Sequence, residues 1–392
     1  MIKNQSRVIF KMKLKHIYLG FFLILCSVFV FIILYKNSDY KRIKITPYLS
    51  TDGTRLIDHG EMYTFTGFNM FQIATLPGHN AGCGGYVSDI DGIFKTMRPN
   101  GMIRIWAWQG SMTINPSTKQ LDWTGVDRVL NAAKKYKQRV IISLAAQTGE
   151  CDDQHWKDSQ WYQGGYKNVY NQTGLTPLSY WDYVQKIVDH YKMSQVIAMW
   201  ELVNEPETSD CMGYTGVACS QHQVCPDHRQ AAIILRHFFD VVGAKVKTTD
   251  PNHLIESGLI GTGQCGSDNA NYLYVHQSPV IDVASYHDYN DDTKSMPGDQ
   301  WNGLAMRLSQ TKSINKPLII GEVGMIASQT GGTCMPLNQR VKNMKAKMDT
   351  MFSAGIGGFM PWNRSAYPDS SCNFDVRNND PLISLINTYT LK

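Results

Sequence analysis

A chain of 392 residues, 43% hydrophobic and 11% aromatic, can bury a large core, which excludes a disordered protein. The formal net charge of +5 arises at one end: residues 1–44 carry nine Lys or Arg and one Asp, whereas residues 45–392 carry 29 basic and 32 acidic side chains. This slightly acidic body gives no support for nucleic-acid binding, so we expect no nucleic-acid partner.

The N-terminus carries five Lys or Arg residues by position 15, followed by an uncharged run of nineteen residues, 17–35. Nineteen helical residues span about 28 Å, which is close to the hydrocarbon thickness of a bilayer. No small-residue cleavage site follows the run. We therefore expect residues 1–44 to form a cytoplasmic tail, a signal-anchor helix at 17–35 and a stem, with 45–392 exported as a single domain. A cleaved signal peptide and secretion are the alternative.

Eight cysteines follow the apolar run, and an even number in an exported chain predicts disulfide bonds. We favour the pairing of Cys334 with Cys372, because the loops that carry them are expected to lie close together. The segment His222-x-x-Cys225-x-x-His228 has metal-ligand spacing. Disulfide bonding is the better interpretation in an oxidising compartment, so we expect no metal.

Apolar runs and helical spacings alternate along the rest of the chain. The eight predicted strands are 64–70, 101–108, 139–146, 196–200, 254–257, 280–287, 317–321 and 357–362. The predicted helices are one beginning at Ser88, then 126–136, 180–191, 230–248, 301–311 and 337–352.

Strict alternation implies parallel strands, and eight of them predict an α/β protein with a closed (β/α)8 TIM barrel and long disulfide-bearing loops. An open doubly wound sheet is the alternative. That fold would need a Gly-x-Gly-x-x-Gly loop after the first strand, and Gly67-Phe-Asn-Met does not supply it.

Reactive groups in such a barrel lie where strands end. Two predicted strands end in a glutamate: Glu205 follows the fourth and Glu322 the seventh. Opposed carboxyls suit cleavage of a glycosidic bond, in which one protonates the leaving oxygen and the other attacks the sugar or activates water. Other strand ends carry Arg104, Gln147, Asn204, His287, Tyr289 and Trp362.

Trp-Glu-x-x-Asn-Glu-Pro at 200–206 and Ile-Ile-Gly-Glu-x-Gly at 319–324 resemble motifs of glycoside hydrolase family 5, the cellulase and β-mannanase family of clan A. Arg104 in Gly-Met-Ile-Arg-Ile-Trp, the Tyr-His-Asp-Tyr of 286–289 and Trp362 match as well. These five motifs occur in the family's order over roughly residues 60–365.

The resemblance implies a retaining β-glycoside hydrolase that cleaves a β-linked polysaccharide or oligosaccharide, mannan- or glucan-type, without a cofactor. Glu205 would be the acid/base and Glu322 the nucleophile. We expect a monomer. Transglycosylation by the same site remains open, as does a non-catalytic carbohydrate-binding barrel.

The resemblance also assigns the supporting residues. Asn204 would bind the sugar 2-hydroxyl, and Tyr289 would donate a hydrogen bond to Glu322. His287 and Trp362 would line the sugar pocket. Because an arginine is permanently charged, Arg104 is expected to lower the pKa of the nucleophile and keep it ionised, although a purely structural ion pair is the alternative role.

Several other residues have two interpretations. Glu201 is expected to lie deeper than Glu205 and to pair with a basic side chain. Gln147 stands where many cellulases of the family have a His, which puts glucan specificity in doubt. The Trp-Ala-Trp at the end of the second strand and the Glu-Leu before Asn204 slightly favour a mannanase-like member. Aromatic side chains in the loops either stack on sugars or hold the loops in place; they are Trp108, Trp156, Trp161 and Tyr162.

The pair Asp89-Ile-Asp91 resembles the acidic motif of nucleotide-sugar glycosyltransferases, whose anchored, exported layout this chain would share. The preferred interpretation is a helix N-terminus, with Ser88 as the cap and Asp91 in the first turn.

Overall fold

The structure is a computed structural model that describes residues 46–79, 83, 85–214, 219–290, 293, 295–328, 333–366 and 372–391. The chain from Ile45 to Lys392 forms one compact unit. The predicted signal-anchor segment 17–35 lies outside the described residues. Among the helices that are described, none is long and apolar enough to cross a membrane.

Eight parallel strands form the central sheet, which confirms the predicted barrel. They are β1 (Phe65–Asn69), β2 (Met102–Trp106), β3 (Arg139–Ser143), β4 (Ile197–Glu201), β5 (Leu254–Glu256), β6 (Ala284–Asp288), β7 (Leu318–Val323) and β8 (Gly358–Pro361). Strands β1 to β5 pair in chain order, as do β6 to β8, and β8 pairs with β1. A parallel bridge between Glu256 and Val283 joins β5 to β6, so the sheet closes and the open-sheet alternative is wrong.

One helix follows each strand. The helices are α1 (Ile90–Lys95), α2 (Thr124–Lys135), α3 (Tyr180–Tyr191), α4 (His228–Phe238), α5 (Asn269–His276), α6 (Leu304–Ser313), α7 (Leu337–Ala354) and α8 (Pro381–Thr388). After α4 the chain stays helical through a π-helical turn (Phe239–Gly243) and a further α-helical segment (Ala244–Thr249). Shorter helical turns lie at Gln109–Thr113, Ser159–Tyr162 and Gly165–Lys167.

Helices α5 and α8 were not predicted from the sequence. Helix α5 is short and not clearly amphipathic, so its spacing carries little signal. Helix α8 begins with Pro381 in its first turn, after Asp380, whose carboxylate accepts a hydrogen bond from the amide of Leu382. This start signal was available in the sequence. The cap of α1 was also misplaced: Asp89, not Ser88, accepts a hydrogen bond from the Gly92 amide, at 2.8 Å.

The N-terminal end of the barrel is filled by apolar side chains and closed by a three-stranded antiparallel sheet, Ser50–Asp52, Arg55–Asp58 and Glu61–Tyr63. Leu49, Leu56 and Tyr63 belong to the same buried cluster as the apolar side chains of the barrel strands. This sheet was not predicted from the sequence. It buries the bottom of the barrel, so the opposite end is the accessible one.

Three disulfide bonds whose two cysteines the structure fully describes join loops at the C-terminal ends of the strands. Their pairs are Cys83–Cys151, Cys225–Cys265 and Cys334–Cys372. The predicted Cys334–Cys372 pair is confirmed, and each bond links the loops that follow two different strands. The loop that follows β4 also contains a hairpin, in which Asp210–Tyr214 pairs with Cys219–Val224.

Candidate active site

The two glutamates singled out by the sequence lie together at the open end of the barrel. Glu205 follows β4, and Glu322 is in β7. One carboxylate oxygen of each, with one ring nitrogen of His287, form a group whose atoms lie within 4.8 Å of one another. Carboxyl groups about 5 Å apart suit a retaining glycosidase, whereas inverting enzymes separate them by about 6.5–9.5 Å.

The backbone at Glu205 is held in an unusual conformation. Its φ angle of 55° lies in the left-handed region, which is uncommon for a residue with a side chain and is typical of functional sites. The Glu205 amide donates to the carbonyl of Gly258, at 3.0 Å, and the Asn204 amide donates to Ala145, at 2.8 Å. A Cβ atom at Gly258 would lie 2.3 Å from the Val203 carbonyl oxygen, so only glycine permits this close approach.

Glu322 is 2% exposed and receives a hydrogen bond on each oxygen. Arg104 Nη1 donates to Oε1 at 2.7 Å, and the Tyr289 hydroxyl donates to Oε2 at 2.5 Å. Burial raises the pKa of Glu322, and the charges of His287 and Arg104 lower it without cancelling the effect of burial. The expected lowered pKa is therefore wrong in direction, although Arg104 contributes with the expected sign.

Arg104 connects the nucleophile candidate to a deeper ion pair. Its Nε and Nη2 atoms each donate to one oxygen of Glu201 at 2.7 Å, and it also donates to the side-chain oxygens of Asn69 and Asn204. Arg104 thus contacts the nucleophile candidate and also forms a buried ion pair with Glu201. Glu201 is fully buried and paired with a base, as predicted.

His287 lies between the two glutamates. Its Nδ1 atom is 2.7 Å from Glu205 Oε1 and 3.6 Å from Glu322 Oε2. Burial lowers the pKa of His287, but the neighbouring carboxylates of Glu322 and Glu205 more than offset this, so the pKa is raised overall. The next residue along β6, Asp288, pairs with the buried Lys347 of α7 at 2.9 Å, which holds this strand end in place.

A wall of three partly exposed aromatic side chains lies at the open end of the barrel, where β1, β2 and β8 end. Trp362 stacks on Phe71, with ring centroids 5.0 Å apart and planes 5° from parallel, and Phe71 contacts Trp106 at 4.3 Å. Trp362 was predicted from its motif, but Phe71 was not, because Phe71 follows β1 without a motif. Asn69 was not predicted either; its side-chain amide donates to the Gly321 carbonyl while its oxygen accepts from Arg104.

A family comparison identifies this arrangement. The profile described as Cellulase (glycosyl hydrolase family 5) matches residues 62–367, well over half of the chain. The chain belongs to glycosyl hydrolase family 5. Its fold and paired glutamates are those of a β-glycoside hydrolase.

Individual relatives of this family 5 chain are distant. Mannan endo-1,4-beta-mannosidase F of Aspergillus clavatus is 21% identical over 313 residues, which cover 71% of this chain and 64% of that protein. Mannan endo-1,4-beta-mannosidase 1 of Arabidopsis thaliana is 24% identical over 352 residues, 80% of each chain. The crystal structure of the endo-1,4-beta-mannanase from Rhizomucor miehei has a TM-score of 0.61 at 17% identity, covering 87% of this chain and 97% of that one.

The side chain of Gln147 is buried and hydrogen-bonded within the protein. Its amide nitrogen donates to the Lys157 carbonyl at 2.8 Å, while its oxygen accepts from the Tyr162 hydroxyl at 2.6 Å and the Glu207 amide at 3.2 Å. It therefore ties loops of the family 5 barrel together. The four loop aromatics are also buried, which favours their structural interpretation: Trp108, Trp156, Trp161 and Tyr162.

The alternative metal and transferase motifs have structural roles. Cys225 of the metal-like spacing is disulfide-bonded to Cys265, as expected. Asp89 caps α1, and Asp91 pairs with Lys135 on the surface. In the part of the chain that the structure describes, the one convergent group of metal-ligand side chains is Glu205, His287 and Glu322. The guanidinium of Arg104 bonded to Glu322 opposes a cation there.

Proposed function

We propose that this chain is an endo-acting 1,4-β-mannanase that works by double displacement, with Glu322 as the nucleophile and Glu205 as the acid/base. The observation that carries the proposal is the approach of their carboxylate oxygens to within 4.8 Å across the open end of the barrel. Mannan as the substrate is supported by the relatives, whose names describe mannan endo-1,4-beta-mannosidases.

In the first step, a Glu322 oxygen attacks the anomeric carbon and forms a glycosyl-enzyme ester. Glu205 gives its proton to the glycosidic oxygen as that bond breaks, so the leaving sugar departs as an alcohol. In the second step, Glu205 takes a proton from water, whose oxygen attacks the anomeric carbon and releases Glu322. Two inversions leave the product with the β configuration of the substrate.

The surrounding residues prepare this chemistry. Arg104 and Tyr289 each bind one oxygen of Glu322 and so fix the carboxylate for attack. The Asn204 side-chain oxygen accepts from Arg104, which leaves its amide nitrogen to bind the 2-hydroxyl of the sugar. His287 orients Glu205, and Trp362 offers its ring face to the sugar.

A panel of mannan, glucan and xylan oligosaccharides tests the proposal, with products followed by NMR. We expect internal cleavage of β-1,4-mannan and initial release of the β anomer. Initial release of the α anomer would overturn the double displacement, and preference for glucan would overturn the substrate. Longer products than the starting oligosaccharide would instead identify transglycosylation, in which a sugar replaces water in the second step.

We also propose that residues 17–35 tether the enzyme to the membrane with the barrel outside. The uncharged run in the sequence and the disulfide bonds of the barrel support an exported, anchored protein. Membrane fractions washed with alkaline carbonate should retain the full-length chain and release a variant that lacks residues 1–44. Recovery of the full-length chain in the wash or the medium would show that it is secreted.

A further inference from the structure

Glu256 is a buried carboxyl that the reaction described above does not use. It is the last residue of β5 and the register partner of Glu201 on β4. Neighbouring strands lie about 4.8 Å apart, so the two carboxyl groups lie side by side inside the barrel. Both residues are at most 1% exposed, so bulk water does not screen one carboxyl group from the other.

The hydrogen bonds of this pair determine where a proton belongs. Both oxygens of Glu201 already accept from Arg104 at 2.7 Å, as expected for an ionised carboxylate. Glu256 Oε2 accepts from the Gly258 amide at 3.0 Å, but no donor among the described residues bonds to its Oε1. Two carboxyl groups in contact form a hydrogen bond only when one of them is protonated.

We propose that Glu256 keeps a proton at neutral pH, donates it in a hydrogen bond to Glu201, and thereby acts as a positioning residue for Arg104. The protonated state of Glu256 and its hydrogen bond to Glu201 depend only on the geometry of the barrel. The effect on catalysis rests on the proposed function of Glu322.

The hydrogen bond from Glu256 acts through charge. This hydrogen bond offsets part of the negative charge of Glu201. Arg104 is therefore shared between Glu201 and Glu322 and is not drawn fully to Glu201. Glu256 would thus help to hold Arg104 Nη1 at its 2.7 Å hydrogen bond to the nucleophile.

The charged groups facing Glu256 agree with this assignment. Burial and the adjacent Glu201 raise the pKa of Glu256 well above its ordinary value, whereas Arg104 on β2 lowers it. The Ser285 hydroxyl on β6 is a further polar neighbour, and it also lowers the pKa of Glu256. Arg104 in turn is paired with Glu322 from β7, so its charge is not available to Glu256 alone.

The proton can be observed directly by infrared spectroscopy on the full-length protein. We expect the C=O absorption of protonated carboxyl groups at pH 7 to lose one component in Glu256→Gln. The same substitution at the exposed Glu61 is the control and should leave the band unchanged. An identical spectrum for Glu256→Gln and the wild type in this region would overturn the proposal.

Stability against pH gives a second test. An unfolded glutamate loses its proton above its ordinary pKa of 4.5, while the folded protein must retain it until its raised pKa is reached. The wild type should therefore lose stability as pH rises from 4.5, relative to Glu256→Gln, which has no proton to lose. A constant difference in melting temperature between the two proteins from pH 4 to pH 8 would contradict the proposal.

Activity tests the positioning role. The Gln amide still donates to Glu201, so Glu256→Gln should keep kcat within about threefold, whereas Glu256→Leu should lower kcat about tenfold with little change in KM. The acid limb of the Leu variant should move to higher pH, since Glu322 loses part of its hold on Arg104. Equal kcat values and pH profiles for Leu and Gln would overturn the positioning role. If the wild type cleaves no β-glycan at all, the proposed function fails while the infrared result still decides the proton.

Discussion

The two ends of the barrel interior are opposite in character, although the same strands build both. Near the N-terminal ends the inward side chains are apolar: Phe65, Met102, Ile141, Met199, Leu254, Ile319 and Met360. Towards the C-terminal ends they are polar or charged, and equally buried: Asn69, Arg104, Ser143, Glu201, Glu256 and Glu322.

Successive side chains of a β-strand point to opposite faces, so Met102 and Arg104, two residues apart, both point into the barrel interior. The apolar end stabilises the fold by removing hydrocarbon from water. The polar end is costly unless every charge is paired, because buried ions lose their hydration. The difference indicates that the lower half provides stability and the upper half provides chemistry, and substitutions in the two halves should separate these properties.

The largest effect is expected at Glu322. The Gln substitution removes the attacking oxygen charge while keeping the shape of the side chain, so turnover of aryl β-glycosides should fall by more than about 10³-fold. Melting temperature should change little. Glu150→Gln, on an exposed loop, is the matched control. Wild-type turnover in Glu322→Gln would exclude it as the nucleophile.

Glu205→Ala should lower cleavage of mannan by about 10²–10⁴-fold, because the leaving oxygen is no longer protonated. A substrate with a good leaving group does not need that proton and should still form the glycosyl-enzyme. Added azide should then speed turnover and give a β-glycosyl azide. Loss of all activity without azide rescue would contradict the assignment of Glu205 as acid/base.

Tyr289→Phe tests the electrostatics of the upper half. Glu322 must be ionised to attack, and burial already raises its pKa above the ordinary 4.5, so activity should fall as pH drops through that raised value. The hydroxyl of Tyr289 lowers this pKa, so its removal should move the acid limb to higher pH and reduce kcat by about tenfold. An unmoved acid limb would show that another group controls it.

The lower half should respond in the opposite way. Met199 is fully buried in the apolar cluster, and Met199→Ala should destabilise the protein by about 2–5 kcal/mol with kcat unchanged below the melting transition. Met193→Ala is the control, since that side chain is 71% exposed and should cost almost nothing. Chemical denaturation would measure both. A large loss of kcat in Met199→Ala would contradict the separation of the two halves.

The smallest effect is expected from removing metal ions. Arg104 bonded to Glu322 disfavours a cation among Glu205, His287 and Glu322. Hydrolysis measured in excess chelator should therefore equal that of the untreated protein. Activity that is lost in chelator and restored by a divalent cation would contradict the two-glutamate mechanism.

Much of this organisation was predictable from local patterns. The eight apolar runs predicted the barrel, and the two glutamates at strand ends predicted which end is open, because period and strand ends are properties of consecutive residues. The antiparallel sheet at 50–63 was not predicted, since its strands are three or four residues long. Helix α5 gave too weak an amphipathic pattern to be recognised.

The sequence by itself determined the alternation of strands and helices, the strand-end glutamates and the family motifs, because each is written in neighbouring residues. Only the tertiary structure decided that Glu256 lies beside Glu201, that Phe71 stacks on Trp362, and that burial raises the pKa of Glu322. These features depend on distances between residues far apart in the chain and on the exclusion of water, and both exist only once the barrel has closed.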